Sequence, residues 1–262
     1  MSGGSLAIVG LGPGGPHWLT PAAQTALDRA TDLIGYGPYL DRVPERPGRI
    51  KHGSDNRVEL QRAAHALRLA ADGRDVAVVS GGDPGVFAMA AAVFEALEAG
   101  DPAWLAIPII VEPGVTAMLA AAAKAGAPLG GDFCAISLSD NLKPWEVVTA
   151  RLEAVLSADF VICLYNPISK ARPWQLGAAL ALAAKHRPAQ TPVMFARAVG
   201  RADEALRILP LSEAKAEMAD MATLVLIGAS TTRLIARPGL APIVYTPRSV
   251  TKSPCATSQG RT

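Results

Sequence analysis

Three short loops in this chain combine residue types that hold small polar ligands. They run from Gly10 to Gly15 (GLGPGG), from Ser80 to Phe87 (SGGDPGVF) and from Glu112 to Ala117 (EPGVTA). Gly81 and Gly82 let the backbone take positive φ and approach a ligand closely. Asp83 offers an acceptor to a ligand hydroxyl or amine, and Pro84 stiffens the exit of the turn. The chemistry on offer is binding and orientation. Helix capping competes with it, since Asp83 and Thr116 both stand where an N-cap would. The first loop also matches G-x-G-x-x-G at Gly10, Gly12 and Gly15, a dinucleotide signature. Against that, Pro13 and Pro16 lack backbone donors, His17-Trp18-Leu19 delay the helix, and Asp32 begins the next strand instead of ending it. A tight turn at a strand end is the better reading of the motif, and a loop that lies against another ligand is the third.

Two later loops are richer in reactive side chains. In Ser137–Leu142 (SLSDNL), Ser139, Asp140 and Asn141 place a hydroxyl, a carboxylate and an amide at one strand end. Asp140 has the chemistry of a general base; capping a helix near Lys143–Pro144 is the competing role. Lys170 and Arg172 follow one strand, and Arg197 and Arg201 follow another, with Lys143, Arg49, Lys51 and His52 as further cations. A guanidinium fork suits carboxylates, although solvated surface charge is the commoner fate of a basic residue.

The elements that would carry these loops are legible. Leu6–Val9, Asp32–Tyr36, Val76–Val79 and Ile107–Val111 read as strands, alternating with helices from Pro21 to Ala30, Arg57 to Ala71, Ala88 to Ala99 and Thr116 to Ala125. That alternation predicts a parallel sheet, and ligands in such sheets sit beyond the carboxyl ends of the strands. Pro38–Ser54 reads as a basic, proline-interrupted connection. In the second half, Phe133–Leu138, Phe160–Tyr165, Val193–Ala196, Ala205–Leu209 and Thr223–Ile227 read as strands, with helices at Trp145–Leu156 and Pro173–His186. The link between Val193–Ala196 and Ala205–Leu209 is too short for a helical crossover, so an antiparallel pair is expected there. The prediction is α/β: a parallel lobe over 1–116, a mixed-sheet lobe over 117–237, and a mobile tail over 238–262.

Bulk properties narrow the function classes. The chain has 262 residues, half of them hydrophobic, and a formal net charge of +2. That charge supplies no global footprint for nucleic acid. The N-terminus lacks the basic and apolar regions of a signal peptide, and no apolar run is long enough for a membrane span. Cys134, Cys163 and Cys255 show no metal-ligand spacing, so neither a metal site nor a disulfide framework is expected, and a cytoplasmic setting is.

The three glycine loops in this order, at the ends of successive strands, resemble the tetrapyrrole methylase family across residues 6–235. Gly35–Pro44 (GYGPYLDRVP), Ser54–Ala63 (SDNRVELQRA), SLSDNLKPW and YNPISKAR are similar to its branch that methylates C17 of precorrin-3B and contracts the ring in cobalamin synthesis. The cobalt-dependent anaerobic branch shares these motifs. The resemblance implies two α/β lobes with the active site in the cleft between them, S-adenosylmethionine as methyl donor, a polycarboxylate macrocycle as substrate, and a homodimer with no nucleic-acid or membrane partner. Carried onto this sequence, it implies cofactor contacts at Pro13, Gly81, Gly82, Asp83, Val86, Thr116, Ala117, Leu164, Tyr165, Ala196 and Ile227. Substrate contacts are implied at Gly12, Lys143, Asn166, Lys170, Arg172 and Arg197, with catalysis at Ser139, Asp140 and Asn141. No metal is implied. RNA methylation would call for an aromatic stacking platform, and aromatics make up only 5% of the chain.

Overall fold

The computed structural model describes residues 3–55 and 58–249. The chain divides into two compact units, one of residues 1–120 with 198–204, the other of 121–197 with 205–262.

In the first unit, five strands form one sheet: β1 (Ser5–Gly10), β2 (Asp32–Tyr36), β3 (Ile50–Ser54), β4 (Asp75–Ser80) and β5 (Ile109–Glu112). Their spatial order is β3-β2-β4-β1-β5 and every pairing is parallel. The helices are α1 (Pro21–Arg29), α2 (Gly37–Leu40), α3 (Glu59–Ala71) and α4 (Met89–Ala99); α5 (Ala117–Ala125) starts in this unit, and its residues from Ala121 on belong to the other. Strand alternation sorts the core into two layers. Leu6, Ile8, Ile34, Val76 and Val78 pack with α3 and α4. Ala7, Val9, Leu33, Ala77 and Val79 pack with α1. Thr20 caps α1 by accepting from the Ala23 N–H at 3.1 Å, with Pro21 in the first turn. At its other end, Arg49 donates to the Leu27 carbonyl at 3.1 Å and Arg46 to that of Ala30 at 2.8 Å, satisfying groups the helix leaves open.

The expected connection over 38–54 is more ordered than its sequence suggests. It holds α2 and the edge strand β3, whose residues are half-buried or exposed. An edge strand with one wet face needs no apolar run. Asp32, almost fully buried, accepts from His52 at 2.9 Å on β3, Arg74 at 2.8 Å and Thr31 at 2.8 Å.

The second unit is built on β7 (Phe133–Ser137), β8 (Val161–Tyr165), β9 (Pro192–Arg197), β10 (Ala205–Pro210) and β11 (Thr223–Ile227), in the order β10-β9-β11-β8-β7. β7 and β8 are parallel and the other pairings antiparallel, including the β9–β10 pair expected from the short link. Helices α6 (Trp145–Ser157) and α7 (Gln175–His186) bury Val148, Leu152, Leu176, Ala179 and Leu180 against Ile162, Leu164, Phe195 and Val225. A smaller sheet joins β6 (Gly126–Ala127), β12 (Arg233–Arg237) and β13 (Leu240–Tyr245). The expected tail is therefore corrected over 240–245, which form a paired strand. Its sequence, LAPIVY, is apolar, but Pro242 stands inside it, and a proline within a run argues against a strand. Cys255 and the rest of the tail from 250 lie outside the described residues. No described helix is long and apolar enough to cross a membrane.

Candidate functional site

The three glycine loops leave the carboxyl ends of β1, β4 and β5, and they meet backbone to backbone within the first unit. Gly12 and Gly82 form a two-way bridge, with N–H to carbonyl distances of 3.1 and 2.9 Å. A Cβ on Gly114 would lie 2.3 Å from the Gly82 carbonyl oxygen, and one on Gly10 would lie 2.6 Å from the Gly114 nitrogen. Side chains are excluded because three main chains occupy the space. Asp83 holds the arrangement: one carboxylate oxygen accepts from the Gly85 N–H at 2.8 Å and the other from the Gly114 N–H at 3.0 Å. It does not cap α4, whose N-cap position is Ala88 with no side-chain cap bond.

Arg42 secures the first loop. One guanidinium nitrogen donates to the carbonyls of Leu11, Gly12 and Gly14 at 2.7, 2.9 and 2.6 Å. Burial and the nearby Arg201 pull the Arg42 pKa down, against an opposing pull from Tyr39. A single 3-10 turn over Pro16–Trp18 separates this loop from α1. The helix N-terminus therefore does not abut the glycines, as a pyrophosphate cradle requires.

Gly82 has φ of +69°, and a Cβ there would make ordinary contacts with Thr116, Ala117 and Val115 at 3.7 to 4.0 Å. Its left-handed backbone, not crowding, is what calls for glycine. On these loops Gly81, Val86 and Ala117 are half-buried, Pro13 and Thr116 are buried, and the Thr116 carbonyl starts α5 by accepting from Leu119 and Ala120 at 3.1 and 3.2 Å.

In the second unit, the ends of β7 and β8 assemble a polar cluster. The Asn166 amide donates to the Ser137 hydroxyl at 2.9 Å, and Ser137 also accepts from the Ser139 N–H at 3.3 Å. Gln175 donates from Nε2 to Asp140 Oδ2 at 3.0 Å, while Arg172 Nε stands 3.8 Å from Asp140 Oδ1. Arg172 also donates to the Asn166 carbonyl at 3.3 Å. Asp140 is thus tied to α7 and the YNPISKAR loop; the cap of α6 is Pro144, with no side-chain bond. Asn141 and Lys170 are exposed, and Tyr165 is half-buried. Burial and Arg151 lower the Lys143 pKa, with Asp140 opposing. Phe87 and Asn166, at φ of 52° and 50°, are non-glycine residues held in the left-handed region, one in each set of loops.

Leu164, Ala196 and Ile227 are at most 1% exposed and stand at or next to the last residues of β8, β9 and β11, so it is their main chains that a ligand could meet. Arg197 forms an ion pair with Asp220 at 2.7 Å. Sequence reasoning missed Arg42, Ser137 and Gln175 as site residues. Arg42 lies inside the GYGPYLDRVP segment, which was the available signal; Gln175 reads only as a helix start. The Cys163 thiol is pushed up to about 12 by burial and by Cys134, and burial pushes Cys134 to about 11, so neither is a nucleophile at neutral pH. No metal-holding group of His, Cys, Asp or Glu occurs among the described residues.

Comparison with known proteins places this geometry in context. A family model described as tetrapyrrole (corrin/porphyrin) methylases matches residues 5–215. A precorrin-3B C(17)-methyltransferase from Sinorhizobium sp. is 58% identical over 245 residues, 94% of this chain and 96% of that protein. A probable cobalt-factor III C(17)-methyltransferase from Salmonella typhimurium is 40% identical over 87% of this chain and 93% of its own length. The crystal structure of the methyltransferase CobJ superposes with a TM-score of 0.88 at 51% identity, covering 93% of this chain and 100% of that one.

Proposed function

The chain belongs to the tetrapyrrole (corrin/porphyrin) methylases, and from that premise we propose that it methylates C17 of precorrin-3B with S-adenosylmethionine and contracts the ring to precorrin-4 in cobalamin synthesis. The observation that carries the reading is the backbone junction of Gly12, Gly82 and Gly114, formed where three strand ends meet, in a chain 58% identical to a precorrin-3B C(17)-methyltransferase. When bound, S-adenosylmethionine supplies an electrophilic methyl group on a sulfonium. Gly81, Gly82, Asp83, Val86, Thr116, Ala117 and Pro13 would hold it, with Tyr165 flanking the adenosine. The missing side chain at the left-handed Gly82, next to Thr116 and Ala117, suits close approach of such a group to the main chain. Because both Asp83 oxygens already accept backbone N–H groups, the main contribution of Asp83 is to fix the loops, leaving remaining lone pairs for the ligand.

The chain's other residues then act on the macrocycle. Lys143, Lys170, Arg172 and Arg197 receive its carboxylate rim, with Gly12 and Asn166 shaping the surface. Asp140, between Gln175 and Arg172, takes the hydroxyl proton that ring contraction releases, and Ser139 and Asn141 offer donors to the departing lactone oxygen. The reading includes a homodimer acting in the cytoplasm, with no nucleic-acid or membrane partner. Exposed Leu105, Ile110, Val111 and Leu119, on and around the edge strand β5, support the dimer.

Calorimetry should show S-adenosylhomocysteine binding and no binding of NAD. Incubation with precorrin-3B and S-adenosylmethionine should yield a product of the mass of precorrin-4. Asp140→Asn should keep cofactor affinity within about twofold and slow turnover roughly 10²-fold. Recovery of unmethylated substrate from the wild-type enzyme overturns the activity, and undiminished Asp140→Asn turnover removes Asp140 from it.

A further inference from the structure

We propose that Gln175 is a positioning residue that orients the Asp140 carboxylate for proton transfer, kept at the expense of fold stability. The proposal rests on the role of Asp140 argued above. Gln175 opens α7 and is 1% exposed. Its Nε2 donates to Asp140 Oδ2 at 3.0 Å, and its own Oε1 is buried with no hydrogen-bond partner among the described residues. The amide is not free to exchange its ends. Turned over, it would set a carbonyl oxygen against a carboxylate oxygen. The charge on Asp140 therefore dictates an orientation that strands Oε1 without a donor.

A stranded buried carbonyl is destabilising. A fold-only role would be served better by leucine or methionine, which nearly match glutamine in volume and carry no such atom. The same helix already buries Leu176, Ala179 and Leu180. Nor does Asp140 need Gln175 for solvation, since its side chain is 29% exposed and water can replace the lost donor. What water cannot replace is direction. Gln175 from α7 and Arg172 from the YNPISKAR loop, 3.8 Å from the other oxygen, together fix the plane of the carboxylate. Lys143, from Asp140's own loop, is the further charged group acting on it, and Arg151 on α6 acts in turn on Lys143. Buried residues that worsen stability while aiming a neighbour are expected at functional sites.

The test pairs turnover with stability in the full-length enzyme. Gln175→Met should lower kcat at least tenfold, leave S-adenosylhomocysteine affinity within about twofold, and leave Tm unchanged or raised. In an Asp140→Asn background the same substitution should cost less than about twofold more, because Gln175 acts through that carboxylate. Gln175→Leu repeats the measurement should the methionine variant fail to fold. Unchanged kcat, a kcat loss accompanied by a Tm loss of several degrees, or a full additional loss in the Asp140→Asn background each overturns the proposal. Wild-type methyl transfer, measured first, scores the underlying function separately.

Discussion

At Gly82 two requirements fall on one residue. Its φ of +69° is strained for any other residue, and its missing side chain lets a ligand approach the main chain. Gly82→Ala should cost about 1–2 kcal/mol of backbone strain and weaken S-adenosylhomocysteine binding at least tenfold by calorimetry. Gly114→Ala should be worse for stability and lower Tm further, because its Cβ would meet the Gly82 carbonyl oxygen at 2.3 Å. Unchanged cofactor affinity in Gly82→Ala would show that the ligand does not lie against this glycine. The glycines could be read from sequence because loop glycines announce themselves by type. The side chains that secure them could not. Arg42 reaches carbonyls some thirty positions away in sequence, and Gln175 finds Asp140 across 35. Such pairings depend on strand order, which local patterns do not encode.

Among the elements, apolar runs buried on both faces were visible: β1, β2, β4, β8 and β11 all lie where alternation and continuous hydrophobicity place strands. The edge strand β3 was not, since edge pairing asks little of side chains, and β13 was hidden by Pro242 in its middle, although it pairs on both sides. The buried cluster joining β2, β3 and α3 gives these elements a pH dependence. Burial works against the Asp32 charge, but hydrogen bonds from His52, Arg74 and Thr31 prevail and hold its pKa below the ordinary carboxylate value. A depressed acid stabilises the fold above the unfolded pKa, about 3.9, and that contribution disappears as pH falls through the folded value. His65, edge to face with His52 at 5.0 Å between ring centroids, is pulled down by burial, His52 and Arg68, with Asp32 opposing. A depressed base also disfavours the folded state as acid is added, beginning near pH 6.5. Urea denaturation across pH should therefore show stability declining in two stages, below about 6.5 and again below about 4. His65→Asn should remove the first stage and Asp32→Asn should blunt the second; a midpoint flat from pH 7 to 5 in the wild type contradicts the His65 assignment.

For the whole molecule, the family could be read from the succession of loops; the choice between metal-free and cobalt-bearing macrocycles could not. Relatives named for each match this chain, at 58% and 40% identity. The higher identity favours the metal-free ring, so turnover with precorrin-3B should exceed that with its cobalt-containing analogue at least tenfold, scored by product mass. Equal rates would reverse the preference.

The order of strands in the second unit also sets a practical limit for anyone shortening the gene. The span matched by the family model stops at residue 215, yet β11 begins at Thr223 and lies in mid-sheet between β9 and β8. Expression vectors trimmed to that span would encode a sheet with its middle plank missing and two unpaired neighbours exposed to aggregation. Thr246, hydrogen-bonded to Thr232 at 2.8 Å and to the Pro128 carbonyl at 2.6 Å, marks the earliest sensible stop codon.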